Sequence, residues 1–134
     1  MASANLELVR SILAAWERGD YSSAAWAHTE IEFVIADGPS AGSWRGLAGM
    51  AEGSRSYLSA WEGWHAEPEA FHEVDKEHVL VLFHERGRGK TSGVELGEVR
   101  PEGASVFAIR EGKVISLAFY FQRANALADL GLKE

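Results

Sequence analysis

The chain has 134 residues, 46% of them hydrophobic and 25% charged, which fits one globular domain with a real core and excludes a disordered chain. Its formal net charge is −7, from 13 basic and 20 acidic side chains with no basic cluster, so neither nucleic acid nor a membrane is expected as a partner. Without cysteine there are no disulfides, thiol nucleophiles or thiolate metal sites, and with no leader pattern and no long apolar run a cytoplasmic location is expected.

In chain order, Leu6, Val9, Leu13 and Trp16, widened by Leu8 and Ile12, predict an amphipathic helix over Leu6–Arg18. Asn5 is the expected N-cap and Gly19 the stop. Asp20 then caps a short helix over Tyr21–Trp26, and His28-Thr29 is the corner into a strand, Ile31–Ala36. That strand ends at the turn signal Asp37-Gly38-Pro39, and Ser40–Arg45 reads as a loop. Leu47, Met50, Tyr57, Leu58 and Trp61 predict a helix over Leu47–Trp61. Gly46, Gly49 and Gly53 weaken it, so tertiary packing is expected to hold it.

Trp64–Val74 and Val79–Arg86 read as two strands. A two-residue turn at Asp75-Lys76 puts Trp64, Ala66, Ala70, Val74, Val79, Val81, Phe83 and Glu85 on the drier, inward face. The opposite face then carries Phe71, Leu80 and Leu82 among charges, which suits solvent or a subunit contact. Gly87–Ser92 is a polar loop, and Val94–Val99 is another strand, broken near Arg100–Gly103. Ala104–Ile109 and Val114–Phe121 flank the turn Arg110-Glu111-Gly112-Lys113 and make a hairpin apolar on both faces. Such strands are covered on both sides, which places this hairpin mid-molecule. Ala124–Leu130 forms a last helix, stopped by Gly131. The sum is one α+β domain spanning 1–134.

Several of these landmarks occur in a familiar order. They are Glu17-Arg18-Gly19-Asp20 after the first helix, His28-Thr29-Glu30-Ile31-Glu32, Asp37-Gly38-Pro39 and Trp44-Arg45-Gly46 opening a helix. Ser92-Gly93-Val94-Glu95, Arg110–Val114, and Ala126-Leu127 before Gly131-Leu132 complete the set. Over nearly the whole chain they resemble the SnoaL-like branch of the nuclear transport factor 2-like superfamily. The resemblance implies a cone-shaped, cystatin-like fold. A curved, mixed but mostly antiparallel sheet would be covered by N-terminal helices and enclose an apolar pocket. It also implies a homodimer through the convex sheet face. It does not imply an activity, because relatives include ketosteroid isomerase, limonene epoxide hydrolase, scytalone dehydratase, polyketide cyclases and non-catalytic modules.

Each relative's chemistry makes a demand on the residues. Ketosteroid isomerase needs a carboxylate base and two hydrogen-bond donors for a developing enolate. By resemblance Asp37 stands close to the base's place, though it can also be no more than the start of its turn. The tyrosine donor's place falls near Ile12, which has no proton to give, and the second donor's near Ser105. Steroid isomerisation is therefore not expected. The Asp-Arg-Asp set of the epoxide hydrolase has no counterpart, since Glu85 and Arg86 alternate onto opposite faces. A cyclase asks for a single proton-transferring group, which Asp37 or Glu85 could be in an aromatic pocket that raises a carboxylate's pKa. Glu85 can equally be a strand-end glutamate reaching solvent. His65, His72, His78 and His84 lack metal-ligand spacing, so no metal or cofactor is expected.

The implied fold directs Trp16, Trp26, Phe33, Tyr57, Trp61, Trp64, Phe83, Phe107 and Phe119 toward the interior of the cone, most of them as plain core. Tyr57 and Trp61, one turn apart on a helix, and Trp64 at the mouth are the leading ligand contacts. The expectation is a small-molecule-binding protein for an apolar or aromatic, polycyclic ligand. If catalytic, it is a cofactor-independent isomerase, cyclase or hydrolase with one acid/base residue. The alternative is a non-catalytic carrier, sensor or interaction module.

Overall fold

A computed structural model describes residues 3–18, 25–36, 41–59, 61–89, 102–120 and 122–131, apart from the side chains of 17, 56–59, 61–66, 85–89 and 102. The elements are α1 (Ala4–Glu17), β1 (Ala27–Ile35), β2 (Gly42–Arg45), α2 (Gly46–Ser59), β3 (Trp61–Glu73), β4 (His78–Gly89), β5 (Glu102–Arg110), β6 (Lys113–Tyr120) and α3 (Arg123–Asp129). The strands form one sheet in the order β2-β1-β6-β5-β4-β3. Among the described residues β1 and β6 pair in parallel and the other pairings are antiparallel. This is the mixed, mostly antiparallel α+β architecture expected. The strand expected over 94–99, the turn at 37–39 and most of the helix expected over 21–26 lie outside the described residues. Among the described residues, no helix is long and apolar enough to cross a membrane.

The central hairpin forms where its sequence demands. Arg110 pairs with Lys113, and Glu111 (φ 52°) and Gly112 (φ 77°) both take left-handed backbone, the two-residue turn whose twist matches its strands. One residue later β6 bulges at Ile115, between the pairs Ile109–Val114 and Ala108–Ser116. The bulge turns Val114 onto the same buried face as Leu117, which strict alternation would not do.

The sheet has two covered faces. On the inner face Val9, Ile12 and Leu13 of α1 and Met50 of α2 pack onto Ile31, Phe33, Val79, Val81, Phe83, Phe107 and Leu117. On the outer face Ala126 and Leu127 of α3 pack onto Leu80, Ala104 and Tyr120. The Tyr120 hydroxyl donates to Asp129 Oδ2 at 2.8 Å and pins the far end of α3. An apolar pattern on both faces of the hairpin thus finds a cover on each side.

Three expectations need correction, beyond two element ends: β4 runs to Gly89, into the expected loop, and β1 opens at Ala27, so His28-Thr29 is strand and not a corner. The N-cap of α1 is Ser3, whose Oγ accepts from the Leu6 amide at 3.1 Å. Asn5 lies inside the helix and donates to the Lys76 carbonyl at 2.9 Å, tying α1 to the β3–β4 turn. Gly42–Arg45, expected as loop, is an edge strand in which Trp44 pairs with Phe33.

The third correction is the β3–β4 register. Asp75 Oδ1 accepts from the Glu77 and His78 amides at 2.8 and 2.9 Å, and Val74 N donates to His78 O at 2.9 Å. The turn therefore holds three residues, Asp75 to Glu77, and the strands beside it shift by one. Phe71 pairs with Val81 and turns inward, where the Arg10 guanidinium lies 5.1 Å above its ring. Val74, expected inside, packs with the outer cluster, and Ala70 pairs with outer-face Leu82. A bulge between Pro68 and Ala70 then restores the expected pairs Pro68–Phe83, Glu67–His84 and His65–Arg86.

Candidate functional site

Helix α1 lies over β3 and β4, and α2 lies over β1 and β2. Side chains of α1 also reach the middle strands β5 and β6, Trp16 meeting Phe107 and Phe119. Across their inner face the register builds successive rungs. One holds Val79, Phe107, Leu117 and Phe33; the next holds Val81, Ser105, Phe119 and Ile35; the third pairs Phe83 with Gly103. Each of these rungs carries at least one phenylalanine, so aromatic rings run along the whole inner face.

Phe119 is the hub of these rings. Its ring meets Phe33 at 5.7 Å and Phe83 at 6.2 Å, both nearly edge-on, and Trp16 at 5.7 Å. Trp16 also reaches Phe107 at 6.2 Å and Trp26 at 6.2 Å. These separations suit the attraction between ring edges and ring faces. Phe33, Phe83 and Phe107 are at most 2% exposed, yet Phe119 and Trp16 are only half-buried despite lying among them. Two rings at the centre of the cluster thus keep solvent access.

Beside Phe119 on the same rung sits Ser105, at 0% exposure the one buried polar residue among those described. Its Oγ makes no hydrogen bond among the described residues. A buried hydroxyl left unpaired costs about 1–3 kcal/mol, so the position asks for an explanation.

The structure thus brings together six expected site residues: Trp16, Phe33, Phe83, Ser105, Phe107 and Phe119. Asp37 lies outside the described residues, but the chain is tracked to its neighbour Ala36, whose amide donates to the Phe119 carbonyl at 2.8 Å. Glu85 pairs with Ala66 in the ladder, and its side chain lies outside the described residues, as do those of Tyr57, Trp61 and Trp64. Trp61 is not one turn beyond Tyr57 on a helix: α2 ends at Ser59, and Trp61 opens β3 paired with Gly89. Ile12 is 3% exposed within the aliphatic packing and offers no donor.

Trp44 was not anticipated. Its half-buried indole leans on Phe33 at 5.8 Å and lies across Gly53 of α2, where an added Cβ would come within 2.7 Å of Cδ2 and Cε3. Gly42 and Gly49 border the same side chain. The helix glycines that weaken α2 on its own are the bed of this indole. Two glycines four apart, just after a tryptophan, were the available signal.

The remaining titratable groups serve other ends. His28 Nδ1 accepts from the Glu30 amide at 3.0 Å, His78 bonds Asp75, and His84 Nε2 pairs with Glu69. The Asp75 carboxyl is held below its ordinary range, first by the Glu77 amide and then by the His78 ring. Glu77 is lowered by the hydrogen bonds from Arg110, and Arg110 is raised by them in turn. Among the described residues no three His, Asp or Glu side chains gather closely enough to hold a metal.

The SnoaL-like domain matches residues 9–117. The chain belongs to the SnoaL-like family. A search of curated proteins finds no match. Among solved structures, an NTF2-like protein of unknown function from Burkholderia pseudomallei K96243 superposes with a TM-score of 0.77 at 20% identity, covering 95% of this chain and 97% of that one. An NTF2-like protein from Burkholderia xenovorans LB400 is 30% identical over 87% of this chain and 88% of that one, with a TM-score of 0.63. A protein of ketosteroid isomerase-like fold from Catenulispora acidiphila DSM 44928, solved with trimethylamine, gives 0.67 at 17% identity over 95% and 94%. These likenesses place the SnoaL-like chain in the NTF2-like superfamily and fix its fold.

Proposed function

We propose that this SnoaL-like protein binds a small, flat, mainly apolar molecule between α1 and α2, with one hydrogen-bonding group of the ligand at Ser105 Oγ. The fully buried Ser105 hydroxyl, without a hydrogen bond among the described residues and beside a half-buried Phe119, carries this reading. A ligand hydroxyl or carbonyl would satisfy that oxygen, and the rings of Trp16, Phe33, Phe83, Phe107 and Phe119 would face the ligand's apolar body. Tyr57, Trp61 and Trp64 complete the proposed lining.

Asp37 is the proposed proton acceptor, with Glu85 second. The order is supported by the neighbour of Asp37: Ala36 is anchored on Phe119, which pairs with Ser105 on the same rung. A carboxylate there would abstract a proton while Ser105 donates to the oxygen that gains charge. The reaction is then an isomerisation, cyclisation or hydrolysis without a cofactor. Ile12 favours a second reading, a carrier or sensor without catalysis, because the place of an additional donor is aliphatic. A cytoplasmic homodimer paired through the outer sheet face completes the proposal, with half-buried Leu82 and Val106 on that face.

The test is a thermal-shift screen of steroids, terpenoid epoxides and aromatic polyketides, followed by turnover assays on hits. A ligand that binds only the folded state raises the melting temperature by mass action. A hit whose turnover is lost in Asp37→Asn, at unchanged stability, supports the enzyme. A hit with no turnover supports the carrier. No shift across the panel overturns the binding reading.

A further inference from the structure

The back of the sheet holds a cluster that the site does not use. In β3, Pro68 stands opposite Phe83 and has no N–H to offer the ladder. The bulge follows at once, leaving Glu69 as the extra residue. From the outer face the guanidinium of Arg123, first residue of α3, meets this interruption. Its Nη2 donates to Glu69 Oε2 at 3.0 Å and to the Phe83 carbonyl at 3.3 Å. Glu69 is fixed from its other oxygen by His84 Nε2. Arg123 is only 16% exposed and its bond to the Phe83 carbonyl is partly buried, where a charged donor is worth most, while Glu69 is more open to solvent.

The same Phe83 reaches through the sheet into the aromatic cluster. Its ring lies over Gly103, where an added Cβ would sit 2.7 Å from Phe83 Cε2 and 3.0 Å from the Tyr120 carbonyl. Its edge meets Phe119 at 6.2 Å. We infer that Arg123 is a positioning residue for the inner-face site: by holding the Phe83 backbone at the ladder's broken point, it sets the ring over Gly103 and hence the wall beside Phe119 and Ser105. The guanidinium takes over the fixing role that a regular ladder would supply. This makes α3, on the opposite side of the sheet, part of what shapes the site. The ligand consequence rests on the binding reading above; the placement of Phe83 does not.

The test separates the two. Amide resonances of the full chain are compared between wild type, Arg123→Met and Tyr120→Phe, and each protein is titrated with 2-naphthol, a flat molecule with one hydroxyl. Tyr120→Phe removes another polar anchor of α3, the bond to Asp129, and leaves the bond from Arg123 to the Phe83 carbonyl in place. The expected result is displaced Gly103 and Ser105 amides in Arg123→Met alone, with 2-naphthol binding about three- to tenfold weaker, the effect of one hydrogen bond. Unmoved Gly103 and Ser105 amides, or equal changes in Tyr120→Phe, overturn the inference. Should Arg123→Met fail to fold, Glu69→Gln loosens the same anchor and must move the same two amides, and its silence also overturns it. A wild type that ignores 2-naphthol counts against the ligand reading only, since the amide pattern still decides the positioning role.

Discussion

Replacing Ser105 by alanine should make the ligand-free protein more stable, contrary to the usual result for a buried serine. The Oγ is buried and unpaired among the described residues, so folding strips it of water without a replacement bond. Mutational data put that cost at about 1–3 kcal/mol. Removing one oxygen also forfeits a handful of contacts worth about 0.1–0.2 kcal/mol each and leaves a gap smaller than a methyl group. The net expectation is a gain of about 1 kcal/mol, or roughly 2–6 °C in melting temperature for a domain of this size. Urea unfolding followed by tryptophan fluorescence should show a higher midpoint with an unchanged slope. Any ligand found by screening should bind about three- to tenfold more weakly to the variant. The signs are therefore opposite with and without ligand. A variant that loses 1 kcal/mol or more without ligand would refute the reasoning, because its oxygen must then be bonded within the protein.

Gly53→Ala gains about 1 kcal/mol of helix propensity but drives a Cβ into the Trp44 indole, so a net loss of about 1–2 kcal/mol is expected in urea unfolding; a stabilised variant would mean the indole moves aside freely. Asp75 and Glu77 have lowered pKa values in the folded protein, so their stabilisation is present above the ordinary carboxylate range and is lost as pH falls through the lowered folded values. Asp75→Asn should flatten the fall in melting temperature on acidification below the ordinary carboxylate range, and an unchanged profile would contradict the turn's role. If the outer face pairs two copies, Leu82→Arg should move the size-exclusion peak to the monomer, and an unmoved peak would count against that surface.

The hairpin, both major helices and the aromatic set were legible because periodicity and turn chemistry agree there. Gly112 supplied the turn, and residues apolar on both faces announced two covers. Errors arose where one side chain decides a register. Asp75 recruits two amides and lengthens its turn by a residue, sending Phe71 inward, and the bulge after Pro68 then hides the slip from anything further along the strand. β2 escaped because four residues are too few to show alternation. The candidate site was legible as a list of rings but not as a place. The meeting of Trp16, Phe33 and Phe119, and the lack of a partner for the Ser105 hydroxyl among the described residues, exist only once strands more than 80 residues apart, as Phe33 and Leu117 are, have been laid side by side.

Trp44 and Gly53 occupy one volume between them. In evolutionary terms they behave as a single character. A descendant that replaces the glycine first must displace the indole, whereas one that first exchanges the indole for something smaller meets only the Phe33 ring, 3.0 Å from a Cβ at 53. Lineages that keep the tryptophan should favour glycine at 53. The two positions should therefore vary together across the family, in that order of steps.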